Sequence, residues 1–198
     1  MNLPNKLTIS RLVMAPLFFI AFFLPEWFGE SLQLISVILL LLLYAMTELS
    51  DLLDGIIARR FKLVTDLGKV LDPFADTFSR LTYFVCFIGV GVMPVWTFVI
   101  IMWREFSIVF LRMLMMGTGK AVAANIWGKM KAVLYAISGL FGIAYVSALR
   151  LSENLDWVIW AEPVVFLFFG FAAIASLASF VTYITAIFRD GSLSHLSR

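Results

Sequence analysis

Six stretches of this chain are too apolar to face water, and they limit what it can fold into. They cover residues 12–24, 32–46, 74–93, 95–116, 132–149 and 158–188. A helix needs about 20 apolar residues, within a range of about 17–25, to cross a bilayer. The first two runs fall short and must recruit flanking polar residues, while the last is long enough for a tilted helix. None shows the alternation that a membrane barrel requires. Composition points the same way: 62% of the 198 residues are hydrophobic and 14% charged, against about half and a quarter in a soluble domain. The expected fold is an all-α integral membrane protein of six transmembrane helices, one domain over 1–198.

The distribution of charge orients it. Lys6 and Arg11 precede the first run, and the first connection carries Glu26 and Glu30 without a basic residue. Arg59, Arg60, Lys62 and Lys69 mark the second connection, the third (89–94) is uncharged, and Lys120, Lys129 and Lys131 mark the fourth. The fifth sets Arg150 against Glu153, Asp156 and Glu162, and Arg189 and Arg198 close the chain. Basic residues thus favour alternate connections, which predicts both termini in the cytoplasm. Trp27, Trp96, Trp157 and Trp160 border the proposed outer ends as interfacial anchors. The first run lacks a small-x-small cleavage pattern and reads as a retained span. Dispersed basic residues give no nucleic-acid surface, and the lone Cys86 supports neither a disulfide nor a thiolate metal site.

Four carboxylates sit where the apolar runs begin or end. Asp51 and Asp54 close the second span, and Asp72 and Asp76 open the third. An ionisable group within a membrane helix costs roughly 2.5–3.5 kcal/mol on insertion scales, so it is tolerated chiefly when paired, liganded or wetted. At 100° per residue, Asp51, Asp54, Gly55 and Ala58 share one helix face, and Asp72 stacks with Asp76 on the next helix. Carboxylates held that close repel and take up protons or cations, and hard divalent ions such as Mg²⁺ or Mn²⁺ suit oxygen ligands. Gly55, Ala58 and Gly68 leave those faces open to a large ligand. Two plainer alternatives stand beside this: Asp72-Pro73 as a helix N-cap followed by proline, and Asp54-Gly55 as a turn ending a helix.

The run from Asp51 to Asp76 reads D-x-x-D-G-x-x-A-R, eight residues, then G-x-x-x-D-x-x-x-D. It resembles the signature of the CDP-alcohol phosphotransferases at all eight specified positions, Asp51, Asp54, Gly55, Ala58, Arg59, Gly68, Asp72 and Asp76. Further segments are similar to the members that make phosphatidylglycerophosphate in bacteria. These are Pro4-Asn5, Thr8 and Arg11; Arg104-Glu105 and Leu111-Arg112; Gly119-Lys120, Ala123-Ala124 and the segment Gly128 to Lys131. The likeness implies a homodimeric enzyme of the bacterial cytoplasmic membrane, with its active site facing the cytoplasm. Its substrates would be CDP-diacylglycerol and glycerol 3-phosphate, with CMP released.

The resemblance also implies roles. Asp51, Asp54, Asp72 and Asp76 would hold two Mg²⁺ or Mn²⁺ ions, and Asp76 would take the acceptor's hydroxyl proton. Gly55, Ala58, Arg59 and Gly68 would line the cytidine diphosphate site. Arg104, Arg112, Lys129 and Lys131 together would suit a phosphorylated acceptor. Alternatively, Arg104 with Glu105 is a buried ion pair that fixes packing, and the lysines are topology signals beside anionic headgroups. Where those synthases commonly follow the last aspartate with lysine, this chain has Thr77, with Arg80 one turn on. That leaves open another alcohol as acceptor, or CDP-choline or CDP-ethanolamine as donor to diacylglycerol. A small cation transporter is the alternative from another class.

Overall fold

The computed structural model describes residues 3–61, 65–116, 126–152 and 156–189, without side chains at 58, 59, 66, 67, 69, 116, 156, 157 and 159. These residues form six long helices: α1 (Leu3–Phe28), α2 (Gln33–Arg60), α3 (Asp66–Gly89), α4 (Val95–Met116), α5 (Ile126–Leu151) and α6 (Asp156–Arg189), with a 3₁₀ turn at Glu30–Leu32 before α2. No strand occurs among them. α1 packs against α2 and α3, α5 against α6, and α4 against both α6 and α3.

Several helices reach well beyond their apolar runs at the end that holds the aspartates. α1 starts at Leu3 rather than at 12, and α2 continues through Asp51 and Asp54 to Arg60. The reason lies on α1's inner face, where Asn5, Thr8, Arg11, Ala15, Phe18 and Phe22 are buried at helical spacing. Polar residues extend this stripe, so a search for apolar runs cannot see its first two turns. The Thr65 hydroxyl caps α3 by accepting from the Gly68 amide at 3.0 Å. Asp72 and Pro73 therefore lie inside α3, and Asp54 and Gly55 inside α2, which excludes the N-cap and turn alternatives.

By length and composition, four helices can cross a membrane: α1, α2 (with its 3₁₀ turn), α5 and α6 from Trp160 onward. α3 and α4 are interrupted by charge, α3 by Asp72, Asp76 and Arg80, α4 by Arg104, Glu105 and Arg112. Much of the apolar surface remains uncovered, including Trp103 at 66% exposure and Ile174 at 62%. Such a surface requires lipid, and the chain is a membrane protein.

At the opposite end from the aspartates, Pro25 has no N–H to give the Ala21 carbonyl. The buried Ser36 hydroxyl donates to that carbonyl at 2.6 Å, and Arg150 donates to Ser36 Oγ and to the Phe22 carbonyl. Arg150, expected only as a charge marker, thus ties α5 to α1 and α2. α3 ends there in a Schellman arrangement, Val92 N–H to Phe87 O at 2.8 Å and Gly91 N–H to Ile88 O at 3.0 Å. That turn needs a left-handed residue, and Gly91 supplies it at φ 75°. Trp27 and Trp96 are exposed near this end, as is Trp160; the Trp157 side chain is outside the described residues.

Candidate active site

The carboxylates of three aspartates come together around α1. Arg11, 1% exposed, places Nη1 at 2.5 Å from Asp51 Oδ1 and Nη2 at 2.6 Å from Asp54 Oδ2, with Asp72 Oδ1 at 3.9 Å. Thr8, fully buried, donates to Asp72 Oδ1 at 2.5 Å and lies 3.3 Å from Asp54 Oδ2. Asp76 pairs with a different cation, its Oδ1 lying 2.7 Å from Arg80 Nε. Among the described residues, no three acidic, His or Cys side chains are drawn close enough together to hold one ion. A guanidinium stands between the aspartates instead.

This arrangement tests the donor set. Three carboxylates and one guanidinium leave two uncompensated negative charges, the charge of one divalent ion. The ligands are oxygens, as a hard cation requires, and Asp51 and Asp72 keep 42% and 45% side-chain exposure. Net charge and ligand type therefore suit a divalent metal, while the carboxylates are gathered around Arg11 and not around a common centre.

Gly68 is occupied differently from the expected open face. A Cβ there would lie 3.1 Å from Asn5 Oδ1 and 3.1 Å from Thr65 Oγ1, so its bareness admits α1. Gly55 is half-buried beside Asp54. The Ala58 and Arg59 side chains are outside the described residues, as are Lys120 and His195.

A second polar group lies between α3, α4, α5 and α6. Its hub is Glu105, 5% exposed. Glu105 Oε1 accepts from Lys131 Nζ at 2.6 Å, Arg104 Nη1 at 2.9 Å and the Tyr135 hydroxyl at 3.0 Å. Arg104 also donates to Ser179 Oγ, and the Ser176 hydroxyl donates to the Tyr135 oxygen, each at 2.9 Å, which fastens α4 and α5 to α6. Three donors around one carboxylate satisfy a group that would otherwise be prohibitive in an apolar bundle.

Beside this hub is a cavity of about 290 Å³. Asp76, Thr77, Arg104, Glu105, Arg112, Lys129 and Lys131 all line it. The four cations expected around an acceptor are therefore brought together, and Asp76 shares their cavity. Arg112 and Lys129 are exposed, whereas Arg104 and Lys131 are buried in ion pairs. The packing role foreseen for Arg104 and its place on the cavity wall are both observed. Lys131 is no headgroup contact, being only 7% exposed.

From sequence, Asn5 and Thr8 carry no role beyond their likeness, Arg11 is otherwise only a topology charge, and nothing marks Tyr135, Ser176 or Ser179. One signal was available: Asn5, Thr8 and Arg11 recur every three residues ahead of an apolar stripe.

The helical architecture and the carboxylate-bearing end define the class. A family model for CDP-alcohol phosphatidyltransferases matches residues 1–188, and the chain belongs to that family. Among its relatives, the CDP-diacylglycerol–glycerol-3-phosphate 3-phosphatidyltransferase of Bacillus subtilis is 35% identical over 146 residues, covering 70% of this chain and 76% of the relative. The protein of the same name from Treponema pallidum is 34% identical over 168 residues, 79% and 76% of the two chains. That of Aquifex aeolicus is 30% identical over 162 residues, 78% and 85%.

Proposed function

We propose that this protein transfers the phosphatidyl group of CDP-diacylglycerol to glycerol 3-phosphate and releases CMP. The observation that carries the reading is the shared cavity: the last aspartate of the signature opens onto the same space as Arg104, Arg112, Lys129 and Lys131. A small phosphorylated alcohol needs just such a pairing, cations for its phosphate and a carboxylate for its hydroxyl. The names of the relatives support the same donor and acceptor.

In this mechanism Arg112 and Lys129, the exposed cations, draw in the acceptor phosphate, and Arg104 and Lys131 close the inner wall. Asp76 accepts the proton of the attacking hydroxyl, whose own acidity is too weak for neutral pH. The hydroxyl oxygen bonds to the phosphorus that carries the diacylglycerol, and the bond from that phosphorus to the CMP oxygen breaks in line. Asp51, Asp54, Asp72 and Asp76 would hold Mg²⁺ or Mn²⁺, which supplies charge neutralisation for the diphosphate and its transition state. One such ion would match the charge deficit around Arg11. Gly55, Ala58 and Arg59 would border the cytidine diphosphate.

The enzyme would work as a single domain in the bacterial cytoplasmic membrane, as a homodimer with both termini and the active site on the cytoplasmic side. α3 and α4 would be the remaining two of six spans, their charges turned inward. The deciding experiment gives purified protein CDP-diacylglycerol, Mg²⁺ or Mn²⁺ and a panel of alcohols, and follows CMP release. Product with glycerol 3-phosphate alone supports the reading. Product from CDP-choline and diacylglycerol overturns it.

A further inference from the structure

Resting on that reading, we infer that Arg80 is a positioning residue for Asp76, replacing from one helical turn away the cation that position 77 lacks. Residues 76 and 80 are four apart on α3, hence on one face. A long side chain on a helix leans back toward the N-terminus and covers the turn before its own Cα. The Arg80 guanidinium therefore arrives level with Asp76, where Nε stands 2.7 Å from Oδ1.

The group is held from behind as well. Arg80 is 8% exposed, its Nη1 donates to the Ala132 carbonyl of α5 at 3.3 Å, and its guanidinium carbon lies 5.8 Å from the Tyr135 ring centre. An arginine seated at a carbonyl and an aromatic ring has little freedom to leave. Thr77, by contrast, is 4% exposed with its hydroxyl 3.5 Å from Glu105 Oε2, and brings no charge to Asp76. Fixing Oδ1 leaves Oδ2 as the oxygen available to a hydroxyl in the cavity that Asp76 lines. With the cation restored from position 80, Thr77 demands no change of acceptor.

The test compares Arg80→Leu, Arg80→Lys and the double variant Thr77→Lys with Arg80→Leu. Each is purified, its melting temperature measured, and its kcat and both Michaelis constants determined with CDP-diacylglycerol and glycerol 3-phosphate. Removing a neighbour that orients a working carboxylate typically costs about 10–100-fold. Arg80→Leu should lose about that much kcat, with the Michaelis constant for CDP-diacylglycerol changed less than about threefold. Arg80→Lys should recover part of the loss, and Thr77→Lys in the leucine background at least about tenfold. Undiminished kcat in Arg80→Leu overturns the inference. So does failure of Thr77→Lys to restore kcat in a double variant that melts like the parent. Should Arg80→Leu not fold, Arg80→Lys decides: a kcat loss with unchanged melting temperature supports positioning, and parental kcat opposes it. Failure of the functional reading is separate, since parent protein would then make no product from glycerol 3-phosphate.

Discussion

Replacing Glu105 by leucine would strip one carboxylate from three donors at once. In the native fold Oε1 takes Lys131 at 2.6 Å, Arg104 at 2.9 Å and Tyr135 at 3.0 Å, and all four residues are buried. Arg104 keeps Ser179 and Tyr135 keeps Ser176, but Lys131 and Arg104 each lose their only ion-pair partner among the described residues, and Lys131 keeps no hydrogen-bond acceptor there. Breaking a buried pair in this way costs about 3–5 kcal/mol, because the surviving charge stays desolvated. For a chain of this size, that corresponds to a melting temperature lower by roughly 6–20 °C. Adding Lys131→Met should recover much of the loss, since a pair exchanged for apolar side chains is often nearly neutral. The assay is thermal unfolding of the four proteins of a double-mutant cycle in one detergent, with a coupling of about 1–3 kcal/mol expected. Additive effects, or a Glu105→Leu protein melting within about 2 °C of the parent, would refute the hub.

Three other outcomes are expected. Asp72→Asn or Asp76→Asn should abolish CMP release while leaving the protein membrane-inserted and folded; parental turnover in either would remove the metal-site reading. Arg112→Ala, at the exposed part of the cavity, should raise the Michaelis constant for glycerol 3-phosphate about tenfold or more, as loss of a charge-assisted hydrogen bond does. The constant for CDP-diacylglycerol should move far less, and equal shifts would contradict an acceptor role. Gly142→Ala should lower thermal stability by about 1–3 kcal/mol through overpacking, because its Cβ would sit 2.9 Å from the fully buried Phe87 ring. Unfolding at the parental temperature would show that α5 can yield there.

Much of this protein is legible from composition and spacing alone. Long apolar runs cannot remain in water, so helices at those positions followed directly. The displaced carboxylates drew attention because charge at a membrane boundary needs compensation, and the family signature across Asp51 to Asp76 is a matter of sequence. Helix limits were less accessible: hydropathy stops where Thr8, Arg11, Asp51 and Asp54 begin, although the backbone continues. Those side chains satisfy each other across α1 and α2, a contact between residues 40 or more positions apart.

Partner choice belonged to the tertiary structure for the same reason. Spacing put Asp72 and Asp76 on one face, yet packing sends Asp72 to Thr8 and Asp76 to Arg80. Nor does sequence tell an exposed lysine from one that closes a buried ion pair, as Lys129 and Lys131 illustrate two residues apart. Chain order fixes which segments bury apolar surface and where charge is out of place. Only the approach of distant helices, governed by shape and by the need to pair every buried charge, decides which groups meet.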